Sequence, residues 1–182
     1  MRILLVYGTG EGQTQKIARF VAGRLAAQGH QVRSIDAGDG APAPAPGEFD
    51  AILIAASVHA GRYQSAVVDF VRKHLGVLNA KPNAFLSVSL SAAGSGQDDF
   101  EGLRRCVGRF QRQTGWTPAR IQHAAGAFRY TKYGLLTRWA MKYIAWRKGA
   151  PTDASRDHEL TDWSELARFA DGFAAAASAA GT

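Results

Sequence analysis

Five short apolar runs alternate with stretches of helical spacing, and few folds accept that order. The runs are RILLVY (2–7), HQVRSID (30–36), FDAILIAAS (49–57), NAFLSVSLS (83–91) and RIQHAAGAF (120–128). Between the first two, Ile17, Ala18, Val21, Ala22 and Leu25 recur at helical intervals and Gly29 ends the helix. A second helix is expected over about 64–78, with Val67, Phe70, Val71, Leu75 and Leu78 on one face. A third runs to about Thr114, and a closing helix occupies 161–178 with Thr161 or Asp162 as its N-cap. Pro and Ala alternate over 41–46, which favours an extended connection. Strands alternating with helices imply a parallel sheet covered on both faces. Five strands at this length predict one α/β domain over 1–182, a doubly wound sheet in the order 2-1-3-4-5.

In such sheets ligands bind at the carboxyl ends of the strands. Strand one is followed there by GTGEGQT (8–14). The first N–H groups of the next helix lack intrahelical partners and carry partial positive charge, so a phosphate fits them. Glycines let the loop curl closely, and Thr9 and Thr14 add hydroxyls. No lysine precedes Thr14, which excludes a Walker loop, and Gly8, Gly10 and Gly12 lack dinucleotide-fingerprint spacing. What remains, T-G-x-G-x-T, is close to the T-x-T-G-x-T pattern of flavodoxins, which cradles the FMN phosphate. The candidate cradle is therefore Thr9, Gly10, Glu11, Gly12, Gln13 and Thr14. A plain glycine-rich turn is the competing reading.

Two more loops reach the same crevice. In a flavodoxin-like protein they hold the flavin ring, here with Ser57, Val58, His59, Ala60 and Gly61 after strand three. After strand four they are Ser89, Leu90, Ser91, Ala92, Ala93 and Gly94. Their small residues allow close backbone approach. Neither an aromatic sandwich nor a side-chain nucleophile is apparent, so no catalytic side chain is expected. An open ring suits an enzyme better than a pure electron carrier.

A plain flavodoxin passes from strand five almost directly to its last helix. Here an insert of about 127–160 intervenes. Between 129 and 148 it carries Arg129, Lys132, Arg138, Lys142, Arg147 and Lys148 and no acid, with Tyr130, Tyr133, Trp139, Tyr143 and Trp146 interleaved. As a helix this segment is basic and amphipathic, the pattern of an anionic membrane surface. Each cation near such a surface contributes about 1 kcal/mol, so attachment would be peripheral. Packing on the domain or against a second copy is the alternative, and a nucleic-acid partner is not expected. The net charge of +7 agrees with an anionic partner. No apolar run approaches a membrane span and the N-terminus reads directly as a strand, so the expected location is cytoplasmic, at the inner face of the cell membrane. The single cysteine, Cys106, reads as a buried helix residue, and no metal site is expected.

GEGQTQKIA (10–18), FDAILIAASVHAGRYQSAVVDFVRKH (49–74), NAFLSVSLS (83–91), AGAFRYTKY (125–133) and TDWSELARFA (161–170) together resemble the menaquinone-dependent protoporphyrinogen oxidases, flavodoxin-fold enzymes of bacterial haem synthesis. The resemblance implies FMN as cofactor, oxidation of protoporphyrinogen IX to protoporphyrin IX, and menaquinone as acceptor. It makes Arg62, Tyr63, Arg129, Tyr130 and Lys132 candidate substrate contacts. The rival readings are a flavodoxin-type electron carrier and a general FMN quinone reductase.

Overall fold

The computed structural model describes residues 1–40, 42–94, 96–128 and 158–180. Strands β1 (Arg2–Gly8), β2 (Gln31–Asp36), β3 (Ala51–Ser57), β4 (Asn83–Ser89) and β5 (Ile121–Ala125) form one parallel sheet in the order β2-β1-β3-β4-β5. The expected doubly wound, flavodoxin-like topology is therefore present. Ile3 stands opposite Val32 on one side and Ala51 on the other. The chain order reverses there, so the loops after β1 and β3 part and open a crevice.

β1 shows why its sequence is a continuous apolar run. Side chains alternate between faces, and both faces are covered. Ile3, Leu5 and Tyr7 join one core with Leu53 and Leu86, under Ile17 and Val21 of α1 (Gln13–Ala27) and Phe169 and Phe173 of α5 (Trp163–Ala180). Leu4 and Val6 join the other with Ile52, Ile54 and Phe85, under Val67 and Val71 of α2 (Ser65–Lys73), Leu78 of α3 (Leu75–Ala80) and Phe110 of α4 (Gln97–Thr114). Each such side chain contributes about 1.5–3 kcal/mol by leaving water. β2, at the sheet edge, is largely exposed and correspondingly polar.

Three local expectations change. The helix expected over 64–78 is two helices. His74 leaves helical geometry at φ −113°, and its ring packs 4.7 Å from that of Phe70. The bend lets both Val71 and Leu78 reach the core. Strand four ends at Ser89, and Leu90–Ala93 form a 3₁₀ turn whose Ala92 N–H donates to Ser89 Oγ. Strand five ends at Ala125. Gly126 donates to Ser89 O, and beyond it β6 (Ala127–Phe128) leaves the sheet to pair antiparallel with β7 (His158–Glu159). This two-stranded ribbon closes the base of the insert. Cys106 lies on α4 and is half-buried against the second core.

Of the two N-cap candidates, Asp162 caps α5, accepting from Glu165 N at 2.9 Å. Thr161 is used elsewhere. The basic aromatic segment 129–148 lies outside the described residues. Among those described, no helix is long and apolar enough to cross a membrane.

Candidate functional site

A cleft of about 280 Å³ opens at the carboxyl ends of β1, β3 and β4. One wall is the turn between β1 and α1. Gly12 takes a left-handed conformation at φ +91°, and its N–H donates to Thr9 Oγ1 at 2.9 Å. Thr9 thus closes the turn on itself. As N-cap, Gly12 brings no side chain to the helix start. Thr9, Gly10, Glu11, Gln13 and Thr14 line the cleft; Gly12 shapes the turn without lining it. The space over Gly10 is open.

The donors of this wall are unevenly spent. Gln13 is buried, and its amide Nε2 donates to Glu159 Oε1 at 2.6 Å and to Thr161 Oγ1 at 2.9 Å. Lys16 Nζ adds an ion pair to Glu159 at 2.8 Å, and Thr161 donates to Ala125 O. Thr14 is 1% exposed, and its Oγ1 has no hydrogen-bond partner among the described residues. A buried hydroxyl left in that state costs about 1–3 kcal/mol, so this one is available to bond a ligand oxygen. An unpartnered hydroxyl at a helix N-terminus, beside an open glycine, fits the phosphate monoester of FMN.

The second wall follows β3. Ser57, Val58, His59 and Ala60 line the cleft. Val58 N–H reaches Val88 O at 2.8 Å and so joins this loop to β4. His59 and Arg62 exchange backbone hydrogen bonds of 2.8 and 3.0 Å, closing a two-residue turn at Ala60 and Gly61. Both central residues have positive φ, +48° and +74°, as a mirror-image hairpin turn demands. Gly61 accepts this readily; Ala60 is the one described non-glycine residue held there. Gln64 Nε2 donates to Ser57 Oγ at 2.5 Å, which leaves the serine's own proton free for another acceptor.

The third wall holds Ser89 and Leu90 together with Val88, Gly126 and Ala127. Of the remaining residues expected in this loop, Ser91 and Gly94 close its turn through Gly94 N–H to Ser91 O. Ala92 and Ala93 border a neighbouring depression beside His123. Burial holds the His123 imidazole below its usual pKa, and its Nδ1 has no partner among the described residues.

Among the substrate candidates, Arg62 is exposed on the outer flank of the turn. Tyr63 is not in the cleft. Its ring lies in the second core, 5.1 Å from both Phe85 and Phe110, with its hydroxyl 2.7 Å from Ser87 Oγ. Neighbouring side chains of an extended segment point to opposite sides, so an outward Arg62 turns Tyr63 inward. Burial raises the phenol far above its ordinary pKa and keeps it neutral. Arg129, Tyr130 and Lys132 lie outside the described residues. No three His, Cys, Asp or Glu side chains among those described are placed to hold a metal.

Sequence reasoning did not single out Gln64, Val88, Gly126, Ala127 or Glu159. Gly126, a glycine interrupting a strand pattern, carried a usable signal of close backbone approach. Glu159 carried none, because its partners Gln13 and Lys16 lie more than 140 residues away.

The flavodoxin domain family matches residues 4–155. A protein of Escherichia coli (strain K12) named protoporphyrinogen IX dehydrogenase (quinone) is 33% identical over 175 residues, covering 93% of each chain. A Leishmania major protein of the same name is 30% identical over 176 residues, 96% of this chain and 75% of that one. Among solved structures, oxidised Flavodoxin 1 from Bacillus cereus superposes with a TM-score of 0.58 at 14% identity, over 96% of this chain and 97% of that one. The Streptococcus pneumoniae TIGR4 flavodoxin gives 0.57 at 18%, over 96% and 99%.

Proposed function

This chain belongs to the flavodoxin domain family and is a homologue of the protoporphyrinogen IX dehydrogenases (quinone), and on that premise we propose the reaction it performs. It is an FMN-dependent oxidoreductase that converts protoporphyrinogen IX to protoporphyrin IX and passes the electrons to a quinone. The acceptor we assign is menaquinone. The substrate and the quinone follow the homologues; the observation that carries the cofactor site is the buried Thr14 hydroxyl at the start of α1, without a partner among the described residues, in a cleft formed by three strand ends.

Bound FMN would supply the two-electron redox chemistry. The chain's own residues bind and orient. Thr14 and the first turn of α1 hold the phosphate. Ser57–Ala60 and Ser89–Leu90 present backbone and hydroxyl groups to the ring, and Gly61 shapes the turn behind them. Ser57 is turned by Gln64 so that its proton is available to the cleft. Arg62 faces the substrate from the outer side of the turn. The basic aromatic segment 129–148 places the domain at an anionic membrane surface, where a lipid-soluble quinone resides. This role accounts for a charge of +7 on a redox domain.

The test is porphyrin fluorescence from protein, FMN and menadione mixed anaerobically with protoporphyrinogen IX. A rise that needs both FMN and the quinone is expected. No rise with FMN demonstrably bound overturns the substrate. Deleting 129–148 separates this enzyme from a simple electron carrier: FMN is retained and quinone turnover lost. Unchanged turnover would remove the segment from the function.

A further inference from the structure

Behind the His59–Arg62 turn lies a depression of about 390 Å³ whose walls are Arg62, Arg109, Arg112 and Gln113. Its walls are exposed side chains, one of them tied to the turn. Arg109 Nη1 donates to Gly61 O at 3.3 Å, which fixes its guanidinium against the turn. Arg112 folds back over Gly108, with Nη1 3.4 Å from where a Cβ would stand. A larger residue there would crowd it. Both arginines leave α4 three residues apart and so share one face. The ion pairs among the described residues join Lys16 to Glu159, Arg24 to Asp171 and Arg105 to Glu101; none reaches these three arginines. Three guanidinium groups thus converge on one concavity with no carboxylate partner in the described structure.

One structural purpose is available, since cations suit the C-terminal end of a helix. That end is already served: Arg72 Nε donates to Gln113 O at 2.7 Å. Position argues for more. The turn has two flanks. His59 and Ala60 face the flavin cleft, and Arg62 with the Gly61 carbonyl faces the arginines. A ligand lying over the rim of the cleft would extend an anionic arm across this turn.

We propose that Arg62, Arg109 and Arg112 form a carboxylate subsite that takes a propionate arm of the tetrapyrrole. The inference rests on the function proposed above and names the residues that recognise its substrate. Guanidinium forks match carboxylates bidentately, which an ammonium does not. The subsite orients the macrocycle so that its reacting edge meets the cleft, and it selects tetrapyrroles with free propionates.

The probes are protoporphyrin IX and its dimethyl ester, titrated against the FMN-loaded protein by fluorescence. The wild type is expected to prefer the free acid. In Arg109→Gln/Arg112→Gln that preference falls roughly fivefold to tenfold at low salt, as expected for two exposed charge-assisted contacts, while ester binding stays put. Arg112→Gln alone leaves the Arg109–Gly61 bond intact and gives a smaller loss in the same direction. FMN absorbance reports that the turn has kept its shape. Equal free-acid affinity in wild type and variants overturns the subsite. So does a loss confined to phosphatidylglycerol vesicles, which would assign the arginines to lipid headgroups. If the wild type binds neither porphyrin, the substrate reading itself falls and takes the subsite with it.

Discussion

Gln13 and Glu159 meet across 2.6 Å, joining the first residue of α1 to the strand that returns from the insert. Residues 146 positions apart in sequence thereby set the pose of the turn between β1 and α1. The adjoining Lys16–Glu159 ion pair is solvent-exposed and contributes little by itself. Buried Gln13 carries the link.

Gln13→Ala is therefore expected to weaken FMN binding by roughly fivefold to tenfold, about the value of one ordinary hydrogen bond, since the link acts on FMN only through the turn. Glu159→Gln keeps an acceptor and should stay within about threefold of wild type, because the lost charge pair is an exposed one. Quenching of FMN fluorescence on titration reads both. Equal affinity for Gln13→Ala and wild type would mean that the turn holds its shape unaided.

Thr14→Val should move two quantities in opposite directions. Removing an unsatisfied buried hydroxyl stabilises the FMN-free protein by about 1 kcal/mol. The same change removes a phosphate contact and should lower FMN affinity by roughly tenfold or more. Thermal unfolding without FMN and a binding titration check the pair. A fall in both would place the hydroxyl in a structural bond instead.

Tyr63 and Ser87 form a buried hydroxyl pair 2.7 Å apart. Tyr63→Phe and Ser87→Ala each strand a partner and should destabilise by about 1–2 kcal/mol. The double variant should cost less than the sum, with a coupling near 1 kcal/mol by denaturant unfolding. KM for the tetrapyrrole should not change in any of the three. A raised KM in Tyr63→Phe alone would return the phenol to the substrate site.

Two histidines make stability fall in mild acid. Burial lowers the pKa of His123, and burial together with Lys73 lowers that of His74. Below the ordinary value of 6.5 the unfolded chain takes up protons that the folded chain refuses, so stability is full above that pH and is lost as pH falls from it toward the depressed folded values. The melting temperature should drop between about pH 7 and pH 5, and His123→Gln should flatten the slope. An unchanged slope would show that His123 titrates alike in both states.

The parallel body was legible because its signals are local. β1 reads as a strand from Ile3 to Tyr7 since every side chain feeds one of two cores. The glycine spacing of the first loop carries its own geometry, and Gly12 does adopt a positive φ. Contacts between distant segments were not legible. Nothing near Glu159 announces Gln13, and two-residue strands have no period from which the β6–β7 ribbon could be read. Arg62 and Tyr63 are adjacent, polar-tipped residues in one loop, yet one faces solvent and the other the core. Arg109 and Arg112 read as an ordinary solvated helix face until the fold brings Gly61 beside them.

The pairing of Ala127 with Glu159 and of Phe128 with His158 has a consequence for the cleft. The insert leaves and re-enters the domain at one point, so its length is decoupled from the sheet. A change in the length of the excursion therefore leaves in place the strand ends that line the cleft.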